Sequence, residues 1–492
     1  MPPVSRPERL YDREAAWDRL VAFVGDPRPG PAIGVVTGPR GHGKSFLLRA
    51  LARATGGFYF GGQQAARAET LRSLAEQYAH HAQLARPPHW AGWSEALLAL
   101  ATAGSGPATV VVLDGLPELV RQSPGLPAAV SEVCRSLRQG RSSPRPLRLV
   151  LCGSTTPVMK RLLSASTTWI DEVLEVAPLD FRRARELWGT ADRSLALRMH
   201  AVVGSSPAFR FDPAGDHPPG TPDAFGPWIC RSVINPRLPL FWKAEHLLDG
   251  ATDTWDIAAC HSTVAAVATG RTLPGEIAER LDRPATDVPH ILSHLTERGL
   301  ISGEPDAFRP GLIHYRITEP LLAFDHAVIR PHRFRLVDAD LGEIEEVWQD
   351  ARPVFERDVA APHFAQICRE WVSLLAAPEL FGAAPASALS GSPLPSAGRS
   401  ADIDVVVRGR GDGGRPGPLL SIGLARWAEP VSTTDLERLR ASLVQLADLG
   451  EDIGRTRLAC YGAAGFSPGL RRAEEDGEVL LVSPEQLYGD AP

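Results

Sequence analysis

Eight consecutive residues, Gly38-Pro39-Arg40-Gly41-His42-Gly43-Lys44-Ser45, satisfy the pattern G-x-x-x-x-G-K-[ST] in full. The residue types suit one task, holding phosphate. Glycines let backbone N–H groups curl around an anion, and a helix N-terminus after them adds its partial positive charge. A lysine at the end of the turn reaches the β- and γ-phosphates, and the hydroxyl after it ligates Mg²⁺. The chain has three lysines, Lys44, Lys160 and Lys243, against 49 arginines, so a lysine at this place is not an accident of composition. Nucleotide contacts are expected along the whole run from Gly38 to Phe46. A second acidic group must orient the metal shell, and Asp114, closing the run "TVVVLD", supplies it at a strand end. Lys44 and Asp114 are thus candidate catalytic residues, Ser45 and Asp114 candidate metal ligands, and ATP with Mg²⁺ the expected cofactors.

These residues need a scaffold. "IGVVT" (33–37) reads as a buried parallel strand, and "SFLLRALARAT" after the turn as a helix with Leu47, Leu48 and Leu51 inward. "TVVVLD" (109–114) and "LRLVLCGS" (147–154) are further β-branched, apolar runs, separated by helical segments such as "AETLRSLAEQYAHHAQLA" and "LPAAVSEVCRSLRQ". Strands alternating with helices predict an α/β fold, a parallel sheet covered on both faces. A mostly helical stretch follows from about Phe181 to Leu247. Residues 256–318 read as helix, turn, helix and short β wing, and 383–400, poor in core residues, as a flexible loop. A small α/β domain closes the chain.

Composition bounds the rest. At 492 residues the chain exceeds one core and predicts two to four domains. A net charge of −6 gives no overall attraction to nucleic acid or anionic membrane. No apolar run approaches the roughly 18 residues a membrane helix needs, and "MPPVSRPERLYDRE" carries no apolar signal region. Six scattered cysteines without a CxxC pair read as reduced thiols. The expected location is the cytoplasm.

Taken in order, "RLYDREAAWDRL", "GPRGHGKS", "VVVLDGLPEL", "LVLCGST", "LEVAPLDF" and "VVGSSPAF" resemble the archaeal-type ATPases of the STAND class, signal-transduction ATPases with numerous domains, within the broader AAA group. The resemblance continues through "VAAVATGRTLPGEIAERL", "ILSHLTERGLI" and "YRITEPLLAFDHAVIRP", similar to that family's winged helix. It reaches "ADIDVVV" and "VLLVSPEQLY", similar to its restriction-endonuclease-like C-terminal domain. It implies a P-loop NTPase core over 1–180, a helical lid over 181–250, a winged helix over 251–335 and a nuclease-like domain over 336–492. By position it implies that Lys44 and Ser45 are the Walker A pair and Asp114 the Walker B aspartate. Ser154 stands where the family has a polar sensor of the γ-phosphate. Pro207, in Gly204-Ser205-Ser206-Pro207, stands where a lid proline packs on adenine, although serine at 205 replaces the motif's glycine.

The departures are as informative. A glutamate that polarises water usually follows the Walker B aspartate; here that position is Gly115, and Glu118 is the nearest acid. Trp169 occupies the alignment position of a charge-stabilising arginine. Binding is expected to survive and hydrolysis to be slow. In the winged-helix part the second helix offers His290, His294 and Arg298 offset by Asp287 and Glu297, so DNA binding is not favoured. In the tail, Asp404 matches one nuclease carboxylate, with Asp402 beside it. The E-x-K positions fall on Leu424, Ala425 and Arg426, and a further acid position falls on Ala365, so cleavage is not expected. The favoured reading is a nucleotide-dependent switch that takes ATP and ADP and acts on a protein partner or a second copy of itself. The alternative is an ATP-regulated DNA-associated protein.

Overall fold

A computed structural model describes the chain apart from residues 1–4, 8–9, 64, 103–106, 141–144, 155–158, 160–162, 165–169, 211–216, 250–256, 394–402, 413–415 and 490–492. Trp169 and Asp402 lie outside the described residues. The fold divides into two compact units, Met1–Leu179 with Ser206–Ala208, and Asp180–Ser205 with Phe209–Pro492. Among the described residues no helix is long and apolar enough to cross a membrane.

The first unit is built on strands β1 (Ala32–Thr37), β2 (Phe58–Gly61), β3 (Thr109–Asp114), β4 (Leu147–Cys152) and β5 (Glu172–Glu175). They form one parallel sheet in the order β2-β3-β4-β1-β5. Every residue of β1, β3 and β4 is buried, as continuous apolar runs in a doubly covered sheet must be. Alternate side chains serve opposite faces. Ile33, Val35, Val111, Leu113, Leu149 and Leu151 join helices α3 (Arg67–His81), α4 (Trp93–Thr102) and α6 (Leu126–Arg138) in one core. Val36, Val110, Val112, Val150 and Cys152 join α1 (Glu14–Gly25) and α2 (Lys44–Thr55) in the other. Because the strands are parallel, the residues after β1, β3 and β4 emerge at one edge, and β4 lies between the other two. The sheet order therefore gathers the glycine turn, Asp114 and Ser154 at the edge where ligands of such sheets sit.

The second unit opens with helices, among them Phe181–Trp188 and Arg193–Val203. Helices Ile257–Ala268, Pro274–Leu281 and Val288–Glu297 follow, then an antiparallel hairpin of β6 (Ile301–Pro305) and β7 (Ile313–Ile317). The chain ends in a mixed five-stranded sheet, β12-β11-β10-β9-β8, made from β8 (Ser387–Gly391), β9 (Ile403–Arg408), β10 (Leu419–Arg426), β11 (Arg457–Gly462) and β12 (Leu480–Val482). Among the described residues two apolar clusters fill this unit, one drawing on residues from Phe181 to Tyr488 and one on residues from Ala307 to Leu481.

Strand β8 corrects the expectation of a loop over 383–400 at Ser387–Gly391, while residues 394–400 lie outside the described residues. It pairs antiparallel with β9 at the sheet margin. An edge strand needs only one row of backbone bonds and a little buried surface, here from Leu389, so a segment poor in core residues still qualifies.

Candidate nucleotide-binding site

Glycine is required in the 38–45 turn for steric reasons that the structure makes explicit. Gly38, Gly41 and Gly43 have φ of +143°, +83° and +90°. A Cβ on Gly38 would stand 2.2 Å from the Val176 carbonyl oxygen, and one on Gly41 would stand 2.7 Å from Ser206 Oγ. Helix α2 then begins with Gly43 as its N-cap, with no side-chain cap and no acid in the first turn. Its first N–H groups, on Lys44, Ser45 and Phe46, belong to the uncapped helix terminus that suits an anion. Ser45 and Phe46 are exposed, as is Arg40.

Lys44 is only 6% exposed. Its ammonium donates to the carbonyls of Gly38 at 2.8 Å and Pro39 at 2.5 Å, drawing the turn around itself. Burial lowers its pKa, opposed by the nearby Cys152 and Asp114. His42 is also buried, its Nδ1 without a hydrogen-bond partner. Burial, then the positive charges of Arg13 and Lys44, push its pKa down to about 4, so the imidazole is neutral near pH 7. Arg13 is fixed on the Ala177 carbonyl at 2.8 Å.

Asp114, 8% exposed, is bound on both oxygens. Oδ1 accepts the Gly115 N–H at 2.8 Å, and Oδ2 accepts the Tyr59 hydroxyl at 2.6 Å. The Cys152 thiol, at the end of β4, lies near it, and burial first and then the Asp114 charge push that thiol's pKa well up. Burial and the bond to Asp114 raise the Tyr59 phenol to about 12, against Arg49, whose guanidinium lies 5.2 Å from the ring centroid. Gly115 has φ +74° and opens α5 (Leu116–Gln122), and half-buried Glu118 sits in that helix's first turn. Ser154 is half-buried beside β1, since the N–H of Gly153 bonds the Val36 carbonyl at 3.1 Å.

Pro207 is held against the turn by both its neighbours. Ser206 Oγ donates to the Gly41 carbonyl at 3.1 Å, and the Ala208 N–H donates to it at 3.3 Å. The sheet order thus gathers the residues singled out from sequence at one edge, and hydrogen bonds tie Pro207 to the turn. Tyr59, Arg49, Cys152 and Ser206 are additional. Nothing local in "FYFG" marks Tyr59, because its partner is set by strand register, 55 residues away.

The donor set suits a magnesium nucleotide. The glycine turn leaves a concavity that side chains would fill, a buried cation stands in it, and hard oxygen ligands are at hand in Asp114 and Ser45. Among the described residues no group of three or more His, Cys, Asp and Glu is placed to hold a metal. Mg²⁺ takes one or two protein oxygens and completes its shell with phosphate and water.

Two of the positions that would need nuclease carboxylates are buried. Leu424, on β10, lies in an apolar cluster, and Ala365 is buried on helix Ala361–Leu374. Asp404 Oδ2 accepts the Ala425 N–H at 2.8 Å, and its carbonyl accepts from Arg369 at 2.8 Å. Arg426 is paired with Asp435 at 2.8 Å.

No family model matches the chain, and no curated protein matches it. Among solved structures it is similar to a Walker-type ATPase of Pyrococcus abyssi, with 17% identity over 66% of this chain and 98% of the other, at a TM-score of 0.48. It is similar to the ORC2 protein of Aeropyrum pernix in its ADPNP–ADP complexes, with 14% identity over 71% of this chain and 97% of the other, at a TM-score of 0.42. It is also similar to the RuvB Holliday junction branch migration motor of Thermotoga maritima, with 15% identity over 65% and 97% of the two chains, at a TM-score of 0.33. At these identities and TM-scores, the roles of individual residues stand on the geometry of this chain alone.

Proposed function

We propose that the chain binds ATP with Mg²⁺ at the 38–46 turn, hydrolyses it slowly and works as a STAND-type conformational switch. The observation that carries this is the buried Lys44 ammonium inside a turn that only glycines can follow, held by the Gly38 and Pro39 carbonyls. A triphosphate would take over those bonds, with the first N–H groups of α2 around it. Ser45 and Asp114 would hold the metal, which when bound neutralises developing charge on the phosphates. Neutral His42 adds no charge to those of Arg40 and Lys44 in the turn.

Slow turnover follows from Gly115, which offers no carboxylate to orient water beside Asp114. Glu118 is the remaining acid for that role. Ser154 and the Ser206-Pro207-Ala208 segment are the groups through which the nucleotide state would be felt. The three-helix and hairpin region at 257–317 then acts as a winged-helix docking module, and the C-terminal sheet as a nuclease-like scaffold without the chemistry. A long-lived nucleotide state of this kind suits a latch.

Calorimetric titration of ATP–Mg²⁺ into wild type and Lys44→Ala tests the reading. Binding that disappears in the variant is expected; equal affinity in the two proteins would refute it.

A further inference from the structure

Two hydrogen bonds restrain the Asp114 carboxylate, and the one from β2 has no role in holding the sheet together. Tyr59 pairs in register with Val112, so two residues along β3 the side chain of Asp114 emerges on the same face. The phenol spans that offset and ends 2.6 Å from Oδ2. Its neighbours Phe58 and Phe60 face the opposite core, and phenylalanine at 59 would fill the same half-buried place without the hydroxyl. The hydroxyl therefore serves the carboxylate. Arg49, five residues after Lys44 on α2, lies over the same ring.

We propose that Tyr59 is a positioning residue for the magnesium nucleotide. It fixes the rotamer of Asp114, and Arg49 ties that setting to the helix that begins with Lys44 and Ser45. The inference rests on the ATP–Mg²⁺ reading of the site. A buried carboxylate with one oxygen on the Gly115 N–H and the other on Tyr59 has its remaining lone pairs aimed in fixed directions. A hydrated cation held by Asp114 would have to be met along those directions. Without the hydroxyl the carboxylate turns to satisfy Oδ2 elsewhere, and the geometry offered to the metal shell is lost. Nucleotide held without metal should not be affected, because the hydrogen bond lost with the Tyr59 hydroxyl goes to Asp114 and not to Lys44 or the turn.

The test is calorimetric titration of ATP into the full chain, in EDTA and across a Mg²⁺ series, for wild type, Tyr59→Phe, Arg49→Gln and Lys44→Ala. For Tyr59→Phe, the Mg²⁺ concentration giving half of the metal-dependent gain in affinity should rise about 10-fold, the usual effect of losing an outer-shell partner. Its affinity in EDTA should stay within about twofold of wild type, because no phosphate contact has changed. Arg49→Gln, at an exposed site that tolerates the change, should shift the midpoint in the same direction by roughly threefold. An unmoved or lowered midpoint in Tyr59→Phe, with normal ATP binding, overturns the role of Tyr59 alone. Wild type that binds no ATP, or Lys44→Ala that binds it unchanged, overturns the ATP reading and this inference with it.

Discussion

Three glycines of the turn differ in what they tolerate, and that difference is measurable. At Gly38 an added methyl meets the Val176 backbone oxygen at 2.2 Å, in a part of the sheet that cannot move aside. At Gly43 nothing lies within 4 Å, and only the positive φ resists substitution. Gly38→Ala should therefore cost about 2–5 kcal/mol of stability and Gly43→Ala about 1 kcal/mol. Urea unfolding of the two variants checks the order, and equal losses would contradict it. The same reasoning applies to Gly115. It occupies φ +74°, and a Cβ there would stand 3.1 Å from the Gly62 carbonyl oxygen. The backbone after Asp114 is thus shaped for glycine, and a glutamate cannot simply be restored to it. Gly115→Glu should lose about 1–3 kcal/mol to backbone strain. Its single-turnover hydrolysis should remain within about threefold of wild type, since a misdirected carboxylate orients no water. A large rate gain would show that the turn relaxes around the new side chain.

At the scale of elements, the glycine turn and the strands around it were legible because their signals are local. The motif is contiguous, and β1, β3 and β4 are mostly apolar runs, with Arg148 the one basic residue in β4. Strands β2 and β5, of four residues each, escaped because such short stretches carry no periodicity to detect. The bond from Tyr59 to Asp114 escaped with β2, since it depends on which strand lies beside β3. The link from Ser206 to the Gly41 carbonyl escaped for the same reason, being a contact between segments 165 residues apart. That link makes a prediction of its own. Ser206→Ala should leave the Ala208 N–H bond in place but free one side of the Gly41 peptide, weakening nucleotide binding by roughly 3- to 10-fold on the usual worth of one hydrogen bond. Unchanged affinity would show that the segment merely lies against the turn. In the C-terminal sheet, Asp404 Oδ2 accepts the Ala425 N–H. Plasmid incubated with the protein and Mg²⁺ or Mn²⁺ should stay intact. Asp404→Ala should instead lower stability by about 1–3 kcal/mol, because the buried Ala425 N–H loses its acceptor. Cleavage that vanishes in that variant would reverse the assignment.

At the scale of the whole molecule, the second unit carries ionisable groups of opposite tendency, His326 buried and His200, His363, Glu319 and Glu370 half-buried. Burial holds His200 down to about 4 and His326 down to about 3, and His363, 2.8 Å from His200, is depressed as well. Each is neutral when folded and takes a proton when unfolded below its ordinary value near 6.5. Stability from these histidines is therefore present above 6.5 and lost as the pH falls toward 4. Glu319 and Glu370 behave in the opposite sense. Burial raises both from 4.5 to about 7, with Asp180 adding to Glu370 and Arg316 opposing it. A carboxyl that stays protonated when folded stabilises fully below 4.5, and that contribution is lost as the pH rises through 7. The two sets cancel over much of the acid range, so the wild-type profile alone is a poor witness and a difference measurement is needed. Glu370→Gln keeps the shape and removes the titration. Its stability relative to wild type should climb between pH 4.5 and 7 by at most about 1.4 kcal/mol per pH unit and level off above 7. Urea unfolding followed by tryptophan fluorescence at pH 5, 6, 7 and 8 measures that difference. A difference independent of pH would mean that Glu370 is already ionised in the folded protein, with Arg316 as its effective counter-charge.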